Sequence, residues 1–245
     1  MKVSIITVCF NSSKTIIDTI NSVNKQTYLN IEHVFIDGGS SDKTLNIINS
    51  NSQREKIIIS EKDLGLYDAM NKGLTIASGD VIGFLNSDDY FSTNNAVSQI
   101  IKLISNNNIV IGGIQMINSK NKTIRKWMPE LYDSKNIENN FYPHPGFYIR
   151  NNLLVTVGFF NLKYKIASDF DWMLRCLINS NNQVVVLEEC IVYMRLGGES
   201  TKNIKNILTG NFEIIKSLQN NLKNINILYY FFKKIISKVK QFFKK

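Results

Sequence analysis

Short apolar runs alternate with amphipathic segments over the first third of the chain, and this alternation most limits how it can fold. Four runs are typical of buried strands: Val3–Cys9, Ile31–Ile36, Lys56–Ser60 and Val81–Leu85. Helical spacing of apolar residues lies between them, at Ile16–Val23, Leu45–Ile48 and Gly65–Ala77. Strands that alternate with helices of this length favour a parallel sheet. We therefore predict an α/β fold with a mostly parallel central sheet and helices on both faces.

Capping residues predict where the helices end, and the pattern of the second half of the chain is less regular than that of the first. Ser12 or Ser13 can cap the first helix, and Gly79 can end the third. Beyond residue 105 the pattern predicts an antiparallel pair, a rigid turn, a helix and two further strands. Their ranges are Ile109–Ile117 with Lys122–Trp127, Pro143–Gly146, Ala167–Ile178, and Gln183–Leu187 with Cys190–Arg195.

Charge is concentrated at one end of the chain. The formal net charge is +9 over 245 residues, but residues 214–245 hold eight lysines and no acidic residue, which leaves +1 for residues 1–213. Because a nucleic-acid-binding domain normally carries its basic charge on the folded body, we expect no nucleic-acid partner. Three separated cysteines and two histidines argue against a disulfide framework and a zinc site. No secretory signal is apparent, so we expect a cytoplasmic, reducing environment.

Polar residues gather in the loops that follow three of the predicted strands. These loops are Phe10–Ser13, Asp37–Asp42 and Asn86–Tyr90. In open α/β sheets, ligands bind beyond the carboxyl ends of the strands. The three loops therefore mark the expected site.

The segment Asn86-Ser87-Asp88-Asp89 is the strongest sign of chemistry in the chain. Adjacent carboxylates directly after an apolar strand repel each other, and a divalent cation relieves that repulsion. Such a cation is commonly held by one or two carboxylates together with substrate phosphate oxygens. The structural alternative is a solvated turn, because Asn, Ser and Asp all form turns. We favour the metal site.

Asp37 ends the second predicted strand and is followed by Gly38 and Gly39. Its carboxylate can accept a hydrogen bond from a nucleobase N–H or a ribose hydroxyl, and glycine lets backbone approach a ligand closely. From the residue pattern alone, ligand contact and hydrogen bonding within the loop are equally good interpretations. Neither a GxGxxG nor a Walker A motif is present, which excludes a dinucleotide fingerprint and a P-loop.

Two predicted helices add further polar candidates. Asp68 and Lys72 are i,i+4, and form either a surface ion pair or, with Asn71, a polar face toward a nucleotide. Asp169 and Asp171 open another helix, where an acidic residue usually interacts with the helix dipole. A catalytic general base is the functional alternative, and composition does not choose between the two aspartates.

Taken together, these segments resemble the family 2 glycosyltransferases of the GT-A fold, inverting enzymes that build bacterial polysaccharides. The resemblance runs from Val3 to about Ser200. It is carried by SIITVCFN at 4–11, DGGSSDKT at 37–44, DLGLYDAMNKG at 63–73, ASGD at 77–80 and NSDD at 86–89. The stretch at 63–73 is similar to a subgroup that includes colanic-acid-type and O-antigen transferases. The implied fold is GT-A, with a Rossmann-like sheet.

The resemblance also implies roles for single residues. It assigns the nucleotide-sugar donor to side chains of the strand-end loops and the third helix: Thr7, Phe10, Asn11, Asp37, Asp68, Asn71, Lys72 and Ser87. It assigns Mn²⁺ or Mg²⁺ to Asp88, with help from Asp89. The family's metal motif is DxD, and here the neutral and weaker ligand Asn86 takes its first position.

On the acceptor side, Asp169 resembles the catalytic base by its position. His144, Asp171 and Trp172 are expected near the acceptor, although a lone histidine between two prolines is more often structural. The segment 197–200 resembles a loop that closes over the donor.

The C-terminal residues have the composition of a basic amphipathic helix. Between 226 and 245, the apolar positions are Leu228, Phe231, Phe232, Ile235, Ile236, Val239, Phe242 and Phe243, and six lysines occupy much of the remainder. Such a helix is too charged to span a bilayer and is typical of a membrane interface. The alternatives are a helix packed on the body of the protein or on another subunit. We predict contact with an anionic membrane surface.

The resulting prediction is a GT-A domain at 1–213, with a donor half at about 1–105 and an acceptor half at about 106–213, followed by a basic amphipathic tail at 214–245. The expected reaction moves a sugar, with inversion, from a nucleotide sugar to a saccharide acceptor. Asp37 weakly favours UDP over GDP or dTDP. The acceptor is expected to be lipid-linked, in cell-surface polysaccharide synthesis at the inner face of the membrane.

Two other functions are alternatives to this one. A non-catalytic protein that binds a nucleotide sugar or a saccharide at the membrane surface is the alternative that the sequence excludes least well. A nucleotidyltransferase is disfavoured because the loop Phe10–Ser13 is not glycine-rich and basic.

Overall fold

Nine strands form one sheet in the computed structural model, which describes residues 1–197 and 203–243. The strands are β1 Val3–Cys9, β2 Ile31–Asp37, β3 Glu55–Ser60, β4 Val81–Phe84, β5 Tyr90–Phe91, β6 Ile109–Ile117, β7 Thr123–Trp127, β8 Phe147–Arg150 and β9 Val184–Arg195. The helices are α1 Ile16–Asn24, α2 Thr44–Asn51, α3 Leu66–Ile76, α4 Ala96–Ile104, α5 Leu154–Val157, α6 Ser168–Ile178, α7 Ile204–Asn221 and α8 Ile227–Phe243. The alternation predicted for the first 85 residues is confirmed, with each of its four strands within one residue of its predicted ends.

The sheet has a parallel part and a mixed part. Its order is β3-β2-β1-β4-β8-β6-β9-β5, with β7 beside β6. The first four strands pair in parallel, as predicted. Beyond β4 the pairings are antiparallel except for β6 with β9, so the sheet as a whole is mixed. The two strands predicted between 183 and 195 are one strand, β9, whose register with β6 shifts beside Gly112 and Gly113.

The side chains of β1 point alternately to the two faces of the sheet, both faces are apolar, and helices cover both. Ile6 and Val8 belong to a core shared with α3 and α6, whereas Val3 and Ile5 belong to a core shared with α4. A third cluster packs α1 and α2 beneath β2. Helices α3 and α6 therefore lie on one face and are brought close to each other.

Two predicted helix signals are wrong. Helix α1 begins at Ile16 and follows Thr15, and Ser12 contributes its carbonyl to the N–H groups of Thr15 and Ile16. Helix α3 ends at Ile76, where Ala77 turns into extended backbone at φ −62° and ψ 124°. Gly79 does not have a left-handed φ; its N–H donates to Ser4 Oγ at 2.8 Å, and a Cβ there would lie 2.5 Å from the same oxygen.

Asparagine takes the left-handed backbone conformation at several turns. Within the described residues, every non-glycine residue with positive φ is an asparagine: Asn11, Asn121, Asn181 and Asn182. The pair Asn181-Asn182, at φ 53° and 60°, connects α6 to β9. Asparagine tolerates this region better than other side chains do.

The C-terminal helices pack on the body of the protein. The predicted boundary between 213 and 214 falls inside α7, which contacts α6 through Ser217 and Leu218. Helix α8 buries Tyr230, whose ring lies 5.4 Å from Phe141 and 6.3 Å from Phe170. Lys240 of α8 pairs with Glu130 at 2.8 Å. In the described part of the chain, none of the helices combines the length and apolar character needed to cross a bilayer.

Candidate active site

The three polar loops meet at the carboxyl end of the parallel strands. Asn11, at φ 50°, accepts the backbone N–H of Ser41 at 3.0 Å, which joins the first loop to the second. Ser12 and Ser87 share a hydrogen bond of 2.8 Å between their hydroxyls, which joins the first loop to the third. Phe10 is exposed at the rim. The three loops expected to mark the site therefore contact one another.

Asp37 is fully buried at the end of β2, with 0% of its surface exposed. Its carboxylate accepts the backbone N–H groups of Gly39 and Ser40, at 3.2 and 2.9 Å, and the hydroxyls of Ser40 and Ser60, the latter at 2.7 Å. The structure thus has the loop hydrogen bonding that the residue pattern left open.

Thr7 lies beneath the loops and is also buried. Its hydroxyl donates to the carbonyl of Leu85 at 2.7 Å and contacts Nε2 of His33 at 2.9 Å. Because the threonine proton goes to Leu85, His33 must donate from Nε2, and its Nδ1 is buried with no partner among the described residues. Burial lowers the pKa of His33 to about 3.

The two aspartates of the third loop have different environments. Asp88 is exposed, whereas Asp89 is 1% exposed and accepts the backbone N–H of Arg195 at 3.1 Å. Burial, and after it the charge of Asp88, raise the pKa of Asp89 well above its usual value. Arg195 also donates to the Asp88 carbonyl at 2.6 Å and pairs with Asp18 at 2.6 Å, so the end of β9 is tied to this loop.

A divalent cation fits the outer part of this loop. The side-chain oxygen Oδ1 of Asn86 is buried and has no hydrogen-bond partner within the described residues. Asp88 follows two positions later and is exposed as a residue, although partial burial of its carboxyl group raises its pKa. Both are oxygen ligands of the kind that Mg²⁺ takes. Residues 1–197 and 203–243 contain no cluster of three or more His, Cys, Asp or Glu side chains suited to a metal. Phosphate oxygens of a substrate would therefore have to complete the coordination.

The polar residues of α3 make contacts within the protein. Lys72 pairs with Glu61 at 2.7 Å and lies 3.7 Å from Asp68, and its pKa is raised, chiefly by the hydrogen bond with Glu61. Asp68 accepts the backbone N–H of Leu64 at 3.0 Å. Asn71 uses its amide on the backbone of Phe160, accepting its N–H at 2.8 Å and donating to its carbonyl at 3.0 Å.

The structure separates the two aspartates at the start of α6. Asp171 is 3% exposed and is held by Arg175 at 2.9 Å and by Ser217 of α7 at 2.7 Å. Asp169 is half-buried, and its Oδ1 accepts the hydroxyl of Tyr67 at 3.2 Å and the backbone N–H of Phe170 at 2.8 Å. Only Asp169 is thus accessible to a substrate.

An aromatic cluster connects the end of β4, just before the loop at 86–89, to α6. The ring of Phe84, which ends β4, lies 5.1 Å from His144, 5.4 Å from Phe160 and 5.9 Å from Trp172. Burial lowers the pKa of His144, and within the described residues its Nε2 has no partner. Trp172 is buried and donates to the carbonyl of Gly158 at 3.0 Å. The segment that leads to Asp88 and the helix that carries Asp169 therefore share one core.

Three residues of the site were missed by sequence reasoning. Arg195 holds the Asp88-Asp89 loop, Tyr67 contacts Asp169, and Glu213 of α7 accepts three backbone N–H groups, of residues 165, 166 and 167, at 2.8–2.9 Å. A signal existed for Glu213, an acidic residue on the apolar side of an amphipathic helix. The loop at 197–200, expected to close over the donor, lies outside the described residues except for Gly197.

Comparisons with known proteins agree with this geometry. Residues 4–165 match the family described as glycosyl transferase family 2. A relative from Mycobacterium bovis, a PGL/p-HBAD biosynthesis glycosyltransferase, is 30% identical over 187 residues, which cover 72% of this chain and 70% of the relative. The Escherichia coli enzyme WfgD, a UDP-Glc:alpha-D-GlcNAc-diphosphoundecaprenol beta-1,3-glucosyltransferase, is 38% identical over 119 residues, which cover 48% of this chain and 47% of WfgD.

Solved structures share the fold at lower identity. Residues 1–349 of S. aureus TarS in complex with UDP-GlcNAc give a TM-score of 0.71 at 21% identity, covering 94% of this chain and 69% of that one. The Pyrobaculum calidifontis mannosyltransferase PcManGT, in complex with GDP-Man and Mn²⁺, gives 0.66 at 12% identity, covering 88% and 64%. The α/β architecture is thus that of GT-A glycosyltransferases, and with the match over residues 4–165 the chain belongs to glycosyl transferase family 2.

Proposed function

We propose that the protein transfers a sugar, with inversion, from a UDP-sugar to a lipid-linked saccharide acceptor at an anionic membrane surface. One observation carries the proposal. Asp37, Asp89 and Asp171 are buried, whereas Asp88 in the strand-end loop and Asp169 at the start of α6 remain accessible. These two carboxylates suit the two tasks of the reaction, which are to stabilise the leaving diphosphate and to deprotonate the acceptor.

The donor binds over the three joined loops. Phe10 is exposed there and offers a surface for a flat base. Asp37 accepts a base N–H when the hydroxyl of Ser40 or Ser60 turns away, and Asn11 and Ser87 lie in the same joined loops. UDP is the preferred donor class, because WfgD is named for UDP-Glc and TarS binds UDP-GlcNAc.

Asp88 and Asn86 would hold the metal, Mn²⁺ or Mg²⁺. When bound, such an ion supplies positive charge to the diphosphate as the glycosidic bond breaks. Asp89 is buried and accepts the N–H of Arg195, so it acts through the shape of the loop. Arg195, Asp18 and the Asp88 carbonyl form the contacts that fix Asp88 in place.

Asp169 is the general base toward the acceptor hydroxyl. It removes the proton as the hydroxyl oxygen attacks the anomeric carbon from the side opposite the diphosphate, which inverts the configuration. Such help is worth on the order of 10²–10⁴ in rate. His144 and Trp172 shape the acceptor side through the aromatic cluster, and Asp171 fixes α6 to α7.

Helix α8 brings the enzyme to its acceptor at the inner face of the membrane. Its buried side carries Tyr230 and Lys234, and the opposite side exposes an apolar stripe of Leu228, Phe232, Ile235 and Val239, spaced i, i+4, i+7 and i+11. Lysines at 233, 238 and 240 flank that stripe. An outward apolar stripe between lysines suits the anionic lipid interface. A second copy of the same basic segment would be repelled.

Thermal unfolding with UDP, UDP-glucose and UDP-N-acetylglucosamine tests the donor site. Each nucleotide is added with Mn²⁺ or with chelator to the wild type, to Asp88→Ala and to Asp169→Asn. We expect a shift in Tm that is lost with chelator and in Asp88→Ala, while Asp169→Asn keeps the shift and loses transfer to a GlcNAc-diphospholipid by a factor of about 10² or more.

Glu188→Ala, at an exposed position of β9, is the matched control and should behave as the wild type. The absence of any shift with a uridine nucleotide would contradict the proposed donor. Binding without turnover in the wild type would instead favour a non-catalytic nucleotide-sugar binding protein.

A further inference from the structure

One face of α3 is directed toward the segment that carries Asp169. Tyr67 and Asn71 are one turn apart on α3, and both form hydrogen bonds with residues about 90 to 100 positions later in the chain. The sequence assigned this helix to the donor alone. The contacts also tie this helix to the start of α6 and to the segment before it.

Tyr67 makes two contacts from one buried hydroxyl. Its oxygen lies 2.7 Å from the carbonyl of Ile166 and 3.2 Å from Oδ1 of Asp169, and its ring stacks on Phe160 at 5.8 Å. A tyrosine hydroxyl has a single proton, so the two acceptors share it. The hydroxyl thereby links the backbone before α6 to the carboxylate itself.

The contacts of Asp169 leave one oxygen free. Both the Tyr67 hydroxyl and the Phe170 N–H donate to Oδ1. No donor in residues 1–197 or 203–243 contacts Oδ2 within hydrogen-bond distance. One oxygen is therefore fixed by the protein, and the other can accept a proton from a substrate hydroxyl.

Asn71 holds the preceding part of the same segment. Its side-chain nitrogen donates to the carbonyl of Phe160 and its side-chain oxygen accepts the N–H of Phe160, so both polar atoms are used on this one residue. Phe160 in turn stacks on Trp172 of α6, with ring centroids 4.8 Å apart. Asn71 thus fixes the segment at residue 160, and Tyr67 fixes it at residues 166 and 169.

We infer that Tyr67 and Asn71 are positioning residues for the catalytic base, with Tyr67 acting directly on the Asp169 carboxylate. The inference rests on the proposed function, because it takes Asp169 to be the base. A general base works only when its free oxygen lies within hydrogen-bond reach of the acceptor hydroxyl. Misplacing a reacting group by about 1 Å can cost a factor of 10² in rate.

A double-mutant cycle tests the inference. Turnover of UDP-glucose or UDP-N-acetylglucosamine is measured for wild type, Tyr67→Phe, Asp169→Asn and the double variant, with UDP affinity and Tm measured for each. Tyr67→Phe should lower kcat by about tenfold, leave KM for the donor and the UDP affinity within about twofold, and keep Tm close to wild type. In the Asp169→Asn background, the same change should cost less than about twofold.

Tyr148→Phe is the matched control. Tyr148 is another buried tyrosine, and its hydroxyl has no partner among the described residues, so its removal should leave kcat unchanged. Asn71→Leu provides a second variant, and should lower kcat with UDP affinity retained.

Two outcomes separate the failure of this inference from failure of the proposed function. Wild-type turnover in Asp169→Asn would remove the base assignment and with it the proposed mechanism. Loss of turnover in Asp169→Asn, together with an equal cost of Tyr67→Phe in both backgrounds, would overturn only the positioning role.

Discussion

The donor half and the acceptor half of the molecule hold their polar side chains in different ways. In the donor half, Asn11, Asp37 and Ser87 lie at or within three residues of the ends of strands, and hydrogen bonds with neighbouring segments fix them. In the acceptor half, Asp169 lies at the start of α6, and the element directly before α6 is the short helix α5, not a strand. Its place is set by Tyr67 from α3 and by Glu213 from α7, which bonds the backbone just before it.

This difference predicts different sensitivity to substitutions far from the site. A loop anchored on a parallel sheet changes little when a distant helix is altered. A carboxylate held from two helices depends on both of them. The two halves also differ at the surface. Helix α7 exposes Ile204, Ile207, Leu208 and Phe212, and this apolar surface and the stripe on α8 both lie outside the donor half.

The largest expected effect concerns the outward stripe of α8. Replacing Leu228, Phe232, Ile235 and Val239 together by serine should weaken binding to vesicles rich in anionic lipid by about 10²-fold or more. Full burial of one such side chain contributes on the order of 1.5–3 kcal/mol, so half burial of all four contributes about 3 kcal/mol, and about 1.4 kcal/mol is a factor of ten. Co-sedimentation with anionic and with neutral vesicles measures this. UDP affinity should not change, because α8 packs on β7, Phe141 and Glu130 of the acceptor half.

The control for this prediction replaces exposed apolar residues in the donor half, Leu29 and Leu64, by serine. That variant should bind vesicles as the wild type does. If the α8 variant still bound anionic vesicles fully, the membrane assignment of α8 would be wrong.

An intermediate effect is expected for Glu213→Gln. The glutamate accepts the backbone N–H groups of Lys165, Ile166 and Ala167, and a glutamine has only one accepting oxygen. At least one buried N–H then loses its partner, which costs about 2 kcal/mol of unfolding free energy. Turnover should fall about tenfold while UDP affinity stays unchanged, as measured by kinetics and by titration.

Glu188→Gln, at an exposed position of β9, serves as the control for Glu213→Gln. A parallel fall in UDP affinity would show that the two halves are coupled, and the comparison between them would then fail.

The smallest expected effect concerns His33, the buried histidine of β2 that contacts Thr7. Burial lowers the pKa of His33 to about 3, below its usual value near 6.5, so the folded state keeps it neutral while the unfolded chain gains a proton as the pH falls. The contribution of neutral His33 to the free energy of unfolding should therefore be fully present above about pH 7 and should be lost progressively toward pH 3. At pH 5 this lowers the free energy of unfolding by about 2 kcal/mol.

Urea unfolding at pH 7.5 and pH 5.0 measures this loss, and His33→Gln should reduce it. His144, whose pKa is also lowered by burial, remains in that variant and accounts for part of the residual pH dependence. Identical pH dependence in the wild type and the variant would contradict the assignment of a neutral, buried His33.

The parallel half of the fold was predictable because its signals are local. The apolar runs of β1 to β4 and the spacing of Ile16, Ile20 and Val23 reproduce the observed elements closely. The second half was harder because β8 and β9 take their neighbours from distant parts of the chain. A four-residue strand such as β8 is set by pairing with β4 and β6, and its own sequence shows little of this.

For the site, the sequence identified which loops meet but not which side chains remain accessible. Asp88 and Asp89 are equivalent in the sequence, and only the packing of Arg195 shows that Asp89 is the buried one. Asp169 and Asp171 are likewise two residues apart on one helix, and Ser217 of α7 distinguishes them. Burial and long-range partners decide such cases, and neither can be deduced from local patterns.

The left-handed asparagines have a consequence for the unfolded chain. Only 13 of the 245 residues are glycine, and turns such as Asn181-Asn182 use asparagine where a glycine would be unstrained. A side chain restricts the backbone of the denatured ensemble, so asparagine loses less conformational entropy on folding than glycine does, and this offsets the strain of a positive φ. The chain thus exchanges local strain in its turns for a less disordered starting state.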